Sequence, residues 1–440
     1  MTSTAPPGEA PPDANADLTD NEDDLLNQPT GTFAALRYRN LRLIWIGQTG
    51  HAAALWMEQI ARPWLVLDLT NGNAVHLGSV VAMRVIPQLL FGVWAGVIAD
   101  RVDRKTLLQL TKIGVLTLTV VFAAMLVFGM LELWHVYAAA FIRGIFMAFD
   151  QPARQSLIAD SVPPRLVTNA VALMSSTQNL MRIVGVMMSG LLIGLIGLEG
   201  TFITIAVVYL VSVVVTQLID VPRRKRTTAS RVRGIVSDLM EGVCYAAQAP
   251  AVRGVLLLSV IFYGAGMMWM QVFAPLFART VMDTGAFGLS ALVAAGGGGC
   301  LLGSLLIATR PPRRPGWQVA MSIAVMGAML ILFAGSPSVP GVGGSIAPYI
   351  ALFAVGIFHG AYIPLTHTIL LTATPEHLRG RVISLVSLDR AMTTVGATLG
   401  GLLTAGIGAQ GAQFAYGLFT LVTGFAVFIL ARGLRDYRLR

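Results

Sequence analysis

The chain has 440 residues, 55% of them hydrophobic and 12% charged, where an ordinary soluble domain carries roughly 25% charged residues. The mean hydropathy of +0.71 and apolar runs far longer than the roughly 10 residues of a barrel strand leave a polytopic helical membrane protein. The net charge of +9 is dispersed over the connections between those runs, which excludes a nucleic-acid footprint, and two cysteines, Cys244 and Cys300, make neither a disulfide framework nor a zinc site.

Residues 1–36 carry seven acids and no Lys or Arg. With no apolar period and no signal-peptide pattern, they read as a disordered cytoplasmic tail. Twelve apolar spans follow, at about 42–68, 75–98, 106–130, 134–156, 167–196, 200–219, 251–278, 285–309, 317–335, 346–373, 381–407 and 412–432. Their connections alternate in charge. One set holds Arg101, Arg104 and Lys105, then Arg165, Arg223–Arg226, Arg310, Arg313, Arg314, Arg379 and Arg381, and ends in the tail Arg432–Arg440. The other set, beginning with Asn71-Gly72-Asn73, has almost none beyond Arg279. The positive-inside rule then puts both termini in the cytoplasm, as expected of a bacterial inner-membrane protein. Within 221–250, Ile235–Tyr245 fits an amphipathic interfacial helix or, as the preferred reading, part of a solvated basic linker. The expected organisation is a tail to residue 36, a six-helix bundle at 37–220, the linker at 221–250, a second bundle at 251–432 and a basic tail at 433–440.

A shift of 211 residues lays span 5 on span 11: Pro164 on Pro375, Met181 on Met392, Gly185 on Gly396, Gly190 on Gly401, and Ile196-Gly197 on Ile407-Gly408. This is an internal repeat, and two parallel six-helix halves predict a substrate site near the midplane between them. The run Gly296–Gly299 lacks the GK[ST] of a phosphate loop and reads as close helix packing. No nucleotide, metal or other cofactor motif appears.

The stretch Gly92–Lys105 (GVWAGVIADRVDRK) crosses from an apolar helix into five charges and back. Gly96, Ala99, Asp100, Arg101, Arg104 and Lys105 match, and the whole resembles, the signature loop between helices 2 and 3 of the major facilitator superfamily; Asp103 stands where that pattern has a second Gly. A narrower resemblance rests on Gln48-Thr49, Trp56-Met57, Pro63–Leu67, Phe149–Gln155, Asn169–Leu173 and Arg379–Val382. These are similar to the drug- and siderophore-exporter branch, the transmembrane secretion effectors related to the enterobactin exporter. The resemblance implies twelve helices in two pseudo-symmetric bundles and proton-coupled efflux of a small amphipathic compound by alternating access. It also places an arginine like Arg143 in the proton relay of span 4.

Ionisable groups within spans cost about 2.5–3.5 kcal/mol each on insertion scales, so they need partners or a watery cavity. Here they are Glu58, Arg62, Arg84, Arg143, Asp150, Arg182, Asp389 and Arg390. Glu58 and Arg84 lie 13 residues to either side of Asn71, which predicts equal depth and a pair, with Arg62 competing at i, i+4. Glu58 reads either as the proton-carrying carboxylate or as half of a static pair. Asp150, Arg154 and Asp160, with Gly96, Asp100, Arg101 and Arg104, form the expected gate latch; Asp100 would face the start of span 11. Trp56, Gln178, Arg182, Trp269, Gln271, His359 and Tyr362 are the cavity candidates, His359 more readily as packing. The partners expected are a small-molecule substrate, protons and the lipid bilayer, with the chain acting as a monomer. An uptake symporter or lipid flippase on the same fold, and a non-transporting scaffold or sensor, stay open as alternatives.

Overall fold

A computed structural model describes residues 34–438 except 164–165, 221–232, 311–313, 339–341, 380, 383–384 and 386–390. The described residues are almost wholly helical. The helices are α1 (Arg39–Leu69), α2 (Ala74–Arg101), α3 (Arg104–Val127), α4 (Leu133–Asp160), α5 (Val167–Gln217), α6 (Arg233–Gln248), α7 (Pro250–Val281), α8 (Gly285–Thr309), α9 (Pro315–Gly335), α10 (Val342–Ala373) and α11 (Met392–Leu430). Eight of these segments are long and apolar enough to cross a membrane. The other two long helices, α1 and α4, have 31 and 28 residues and carry Glu58 and Arg62, and Arg143 and Asp150, respectively.

Two of the apolar segments are double. α5 folds back at Gly197 (φ 74°, ψ −178°) and α11 at Gly408 (φ 76°, ψ 167°). Only glycine adopts this conformation without strain. These are the two glycines that the 211-residue repeat superposes, so one turn closes span 5 onto span 6 and span 11 onto span 12. Twelve spans result, in two bundles of six. α1 packs on α5, and α4 on α2 and α3; in the second half α8 packs on α10, and α9 on α11.

The repeat extends to how the helices cross. A Cβ on Gly185 would lie 2.8 Å from the Ala53 carbonyl oxygen, and one on Gly396 would press on the carbonyl of Gly264, 211 residues after Ala53. The halves meet through the same device. Gly190 faces Ser290 and the Ala286 carbonyl, so α5 seats on α8; Gly401 faces the Ala74 carbonyl, so α11 seats on α2. Gly78 adds a second close approach, onto the Ala397 carbonyl. These crossings gather at the end of the molecule that carries the Asn71-Gly72 turn, where Arg279 also bridges to Asp68 at 3.1 Å.

Gly299 and Gly303 bring α8 against the Phe353 and Ile357 carbonyls of α10, as the glycine run predicts. Asp103, the departure from the signature pattern, caps α3: its Oδ2 accepts from the Thr106 N–H at 2.9 Å. Within the linker region Arg233–Gln248 form a helix, α6. α6 is tied to α10 by a hydrogen bond from the Tyr245 hydroxyl to the Ala373 carbonyl at 2.7 Å, and to the start of span 11 by an ion pair between Glu241 and Arg381.

Candidate functional site

The central cavity lies between α1, α2 and α4 of the first bundle and α7 and α8 of the second. It leaves about 40 Å³ open to the centres of water-sized molecules, and its wall includes Trp56, Glu58, Gln59, Arg62, Arg84, Arg143, Met270 and Gln271. The walls stand where they do because of small residues. Gly144 lets α4 press on the Arg84 carbonyl, and Gly185 lets α5 approach within van der Waals range of Trp56.

α1 supplies two faces. Glu58 meets Arg143 of α4 and Tyr209 on the second limb of α5, with Arg62 one turn away; Trp56 lies against Gly185 and Arg182 of α5, and Gln59 meets Arg84 of α2. Glu58 is buried, 6% exposed. Its Oε1 pairs with Arg62. Its Oε2 lies 3.1 Å from Nη2 of Arg143 and accepts a hydrogen bond from the Tyr209 hydroxyl at 3.2 Å. Tyr209 in turn accepts from Arg143 at 2.5 Å. One carboxylate, two guanidinium groups and a phenol thus form a closed network. Removing one member of such a buried network leaves charges unpaired away from water, although Nη1 of Arg62 and of Arg143 is itself buried with no hydrogen-bond partner.

The Glu58–Arg84 pair does not form. Both residues line the one cavity, as their equal distance from the turn implies. Successive residues on a helix diverge by about 100°. Glu58 therefore turns away from α2, and its neighbour Gln59 turns toward it. Arg84 donates to Gln59 Oε1 at 2.7 Å and to Gln271 Oε1 of α7 at 2.9 Å. Arg182 reaches the second bundle differently, with Nη1 3.7 Å from Cys300 Sγ, Nη2 3.5 Å from Met270 Sδ, and its guanidinium 4.9 Å above the Trp56 ring.

Three of the cavity candidates fall elsewhere. Trp269 is buried against Gly296. His359 meets the Phe262 ring edge-on at 5.0 Å. Tyr362 stacks on the same ring and shares a 2.8 Å hydrogen bond with Ser259. All three belong to the interior of the second bundle. Trp269–Phe273 form a π-helical turn in which Met270 and Gln271 line the cavity and Trp269 is turned onto Gly296. Gln178 is half-buried, one turn before Arg182 on α5.

At the other end of α4, Asp150 accepts from Arg154 at 3.3 Å. Gly96, Asp100, Arg101, Arg104 and Asp160 are helical in backbone, but their side chains, like Asp389 and Arg390 altogether, lie outside the described residues. The sequence reading missed Tyr209, Gln59, His51 and Lys112. Lys112 is buried in α3 and donates to Ser212 Oγ at 3.1 Å and Thr216 Oγ1 at 2.8 Å. The His51 ring lies 5.4 Å from that of Tyr209. Lys112 and Tyr209 were findable, one a rare lysine within a span, the other a lone tyrosine in an apolar run.

Known proteins share this architecture. The structure of a bacterial homologue of the human lysosomal transporter Spinster superposes with TM-score 0.71 at 15% identity, covering 91% of this chain and 99% of that one. A D-xylose–proton symporter gives 0.70 at 13% identity, over 91% and 100%. In sequence, the staphyloferrin A transporter of Staphylococcus aureus (strain NCTC 8325 / PS 47) is 33% identical over 159 residues, 36% of this chain and 40% of that protein. The multidrug efflux pump Tap of Mycolicibacterium fortuitum is 25% identical over 387 residues, 85% and 91% of the two chains. Macrolide efflux protein A of Streptococcus pyogenes is 23% identical over 62% of this chain and 67% of its own. The sequence model of the Major Facilitator Superfamily matches residues 44–388, and the chain belongs to that superfamily.

Proposed function

We propose that this protein exports a small amphipathic organic compound across the bacterial cell membrane in exchange for protons, working as a monomer with both termini in the cytoplasm. The observation that carries the reading is Glu58. It is the one carboxylate among the described residues lining the central cavity, and it is clamped by Arg62, Arg143 and Tyr209 rather than solvated. A carboxylate that gains a proton here gives up its ion pairs to both arginines. Protonation is thereby tied to how α1 sits against α4 and α5. Efflux as the direction is supported by the drug-efflux names of the relatives that span most of the chain.

The crossings at the Asn71 end then close the external side, so the resting arrangement opens to the cytoplasm. Asp150 and Arg154, with Gly96, Asp100, Arg101, Arg104 and Asp160, are the parts of the internal gate that assembles when the halves rock. Substrate enters from the inside; a proton reaching Glu58 from the outside resets the carrier. The amphipathic α6 anchors the linker between the halves. The test uses proteoliposomes with a trapped pH dye and an inside-acid gradient, challenged with hydrophobic cations, macrolides and siderophores. At least one compound should release protons only when active protein is present. Faster lysolipid crossing without proton movement would instead establish a flippase.

A further inference from the structure

Three arginines and a single carboxylate line the central cavity among the described residues, Arg62, Arg84 and Arg143 against Glu58, and a fourth arginine, Arg182, lies behind its wall, over the Trp56 ring and beside Met270. Glu58 is occupied by Arg62 and Arg143. That leaves Arg84 and Arg182 with neutral partners only. Arg84 has two glutamine amide oxygens; Arg182 has a thiol, a thioether and an indole face. The Nε–H of each is buried with no hydrogen-bond partner. Thiol and thioether sulfurs are weak acceptors, so Arg182 is a guanidinium whose hydrogen-bonding capacity is mostly unused. Arg182 is thus a cation taken out of water with no carboxylate in contact with it among the described residues.

The two arginines approach the cavity from different helices of the first bundle and end on consecutive residues of α7. Arg84, from α2, ends on Gln271; Arg182, from α5, ends on Met270. On α1 they end on residues three apart, Gln59 and Trp56, which share a helix face. Arg84 lines the space shared by Trp56, Gln59, Met270 and Gln271, and Arg182 lies against the Trp56 and Met270 that wall it. Trp56, Met147, Met270 and Val293 supply apolar wall for the body of a ligand.

We infer that the transported compound is an anion, with a carboxylate or sulfonate group taken between Arg84 and Arg182 and its apolar body on Trp56 and Met270. Guanidinium matches such groups in a bidentate fork, which a neutral amide or an ammonium ligand cannot exploit. Both arginines now contact the second bundle through weak or neutral partners. An anion would replace those contacts and so bear directly on how the halves sit. The inference rests on the transport reading and names its substrate class.

The test is binding to the full-length protein in lipid nanodiscs, with empty nanodiscs subtracted, using one fluorophore with three tails: dansylglycine (anionic), dansylamide (neutral) and dansylcadaverine (cationic). Dansylglycine should bind at least tenfold more tightly than dansylcadaverine. Arg84→Gln and Arg182→Gln should each weaken dansylglycine tenfold or more and leave dansylamide within about twofold, while Arg182→Lys recovers part of the loss. Should a Gln variant fail to fold, the Lys variants and the wild-type order of the three probes decide. Equal or tighter binding of dansylcadaverine, no binding of dansylglycine, or unchanged dansylglycine affinity in folded Gln variants would each overturn the inference. The two readings fail separately. A cation preference accompanied by cation-driven proton release removes the anion and keeps the antiporter; anion binding with no proton movement does the reverse.

Discussion

Tyr209 shows what a single residue contributes inside this bundle. Its hydroxyl accepts from Arg143 and donates to Glu58, so it completes a network of charges that have left water. Tyr209→Phe removes one group and leaves two charged partners short of a hydrogen bond. A buried group left unsatisfied costs about 1–3 kcal/mol, more when it is charged. The variant should therefore melt at a clearly lower temperature in detergent than the parent, as followed by the thermal unfolding of the purified protein; an unchanged melting curve would mean the network does not support the fold. The charges themselves were legible in the sequence, because an ionisable residue in an apolar run stands out. Their pairing was not. Counting residues from a turn fixes depth but not azimuth, and Glu58 and Gln59, adjacent in the chain, face different helices. The same gap explains Trp269: its position in span 7 says nothing of the π-helical turn in which it is buried while Met270 and Gln271 line the cavity.

At the scale of helices, the small residues decide which ones meet. Gly78 and Gly401 bring α2 and α11 together, and Gly190 brings α5 onto α8, all at the end that carries the Asn71-Gly72 turn. Gly78→Leu or Gly401→Leu should force that closure apart and raise the reactivity of a cysteine at position 271 toward a membrane-impermeant maleimide added from outside. Gly92→Leu is the control, since nothing lies within 4 Å of a Cβ there; equal labelling of all three variants would sink the assignment of this closure. The hinges give a second prediction. Gly197→Ala and Gly408→Ala place a side chain at φ 74° and 76° with extended ψ, a region essentially reserved to glycine, at a cost on the order of 1–3 kcal/mol each. Because the repeat makes the two turns equivalent, the losses of thermal stability should be similar. The repeat was readable directly from matched residues, and it carried the fold a long way: the hinges and the α1–α5 and α7–α11 crossings obey the same 211-residue shift, and the two crossings between halves follow it to within one residue. The cap at Asp103 was not readable as such, since a departure from a family pattern reveals its cause only when the Thr106 N–H is seen on its carboxylate.

In the proposed transport cycle of the whole molecule, two bundles rock about a cavity and exchange one closed side for the other. The Asp68–Arg279 bridge spans the halves at the closed end but is exposed, so its loss should be worth less than about 1 kcal/mol and should change transport little. Fixing it covalently is another matter. Asp68→Cys with Arg279→Cys, joined by a short bifunctional thiol reagent, should abolish transport and recover it on reduction of a cleavable linker; full transport in the cross-linked carrier would exclude rocking at this end. The central claim, that Glu58 couples protons to substrate, is tested most directly by comparing two assays of Glu58→Gln in proteoliposomes. One is substrate exchange at equal pH on both sides, which needs the carrier to bind and reorient loaded. The other is substrate movement driven by a pH gradient, which needs a proton to be carried as well. The account predicts that Glu58→Gln retains exchange and loses the gradient-driven component. Gradient-driven transport equal to that of the parent protein would contradict it, and would leave Glu58 as a structural member of the Arg62–Arg143–Tyr209 network.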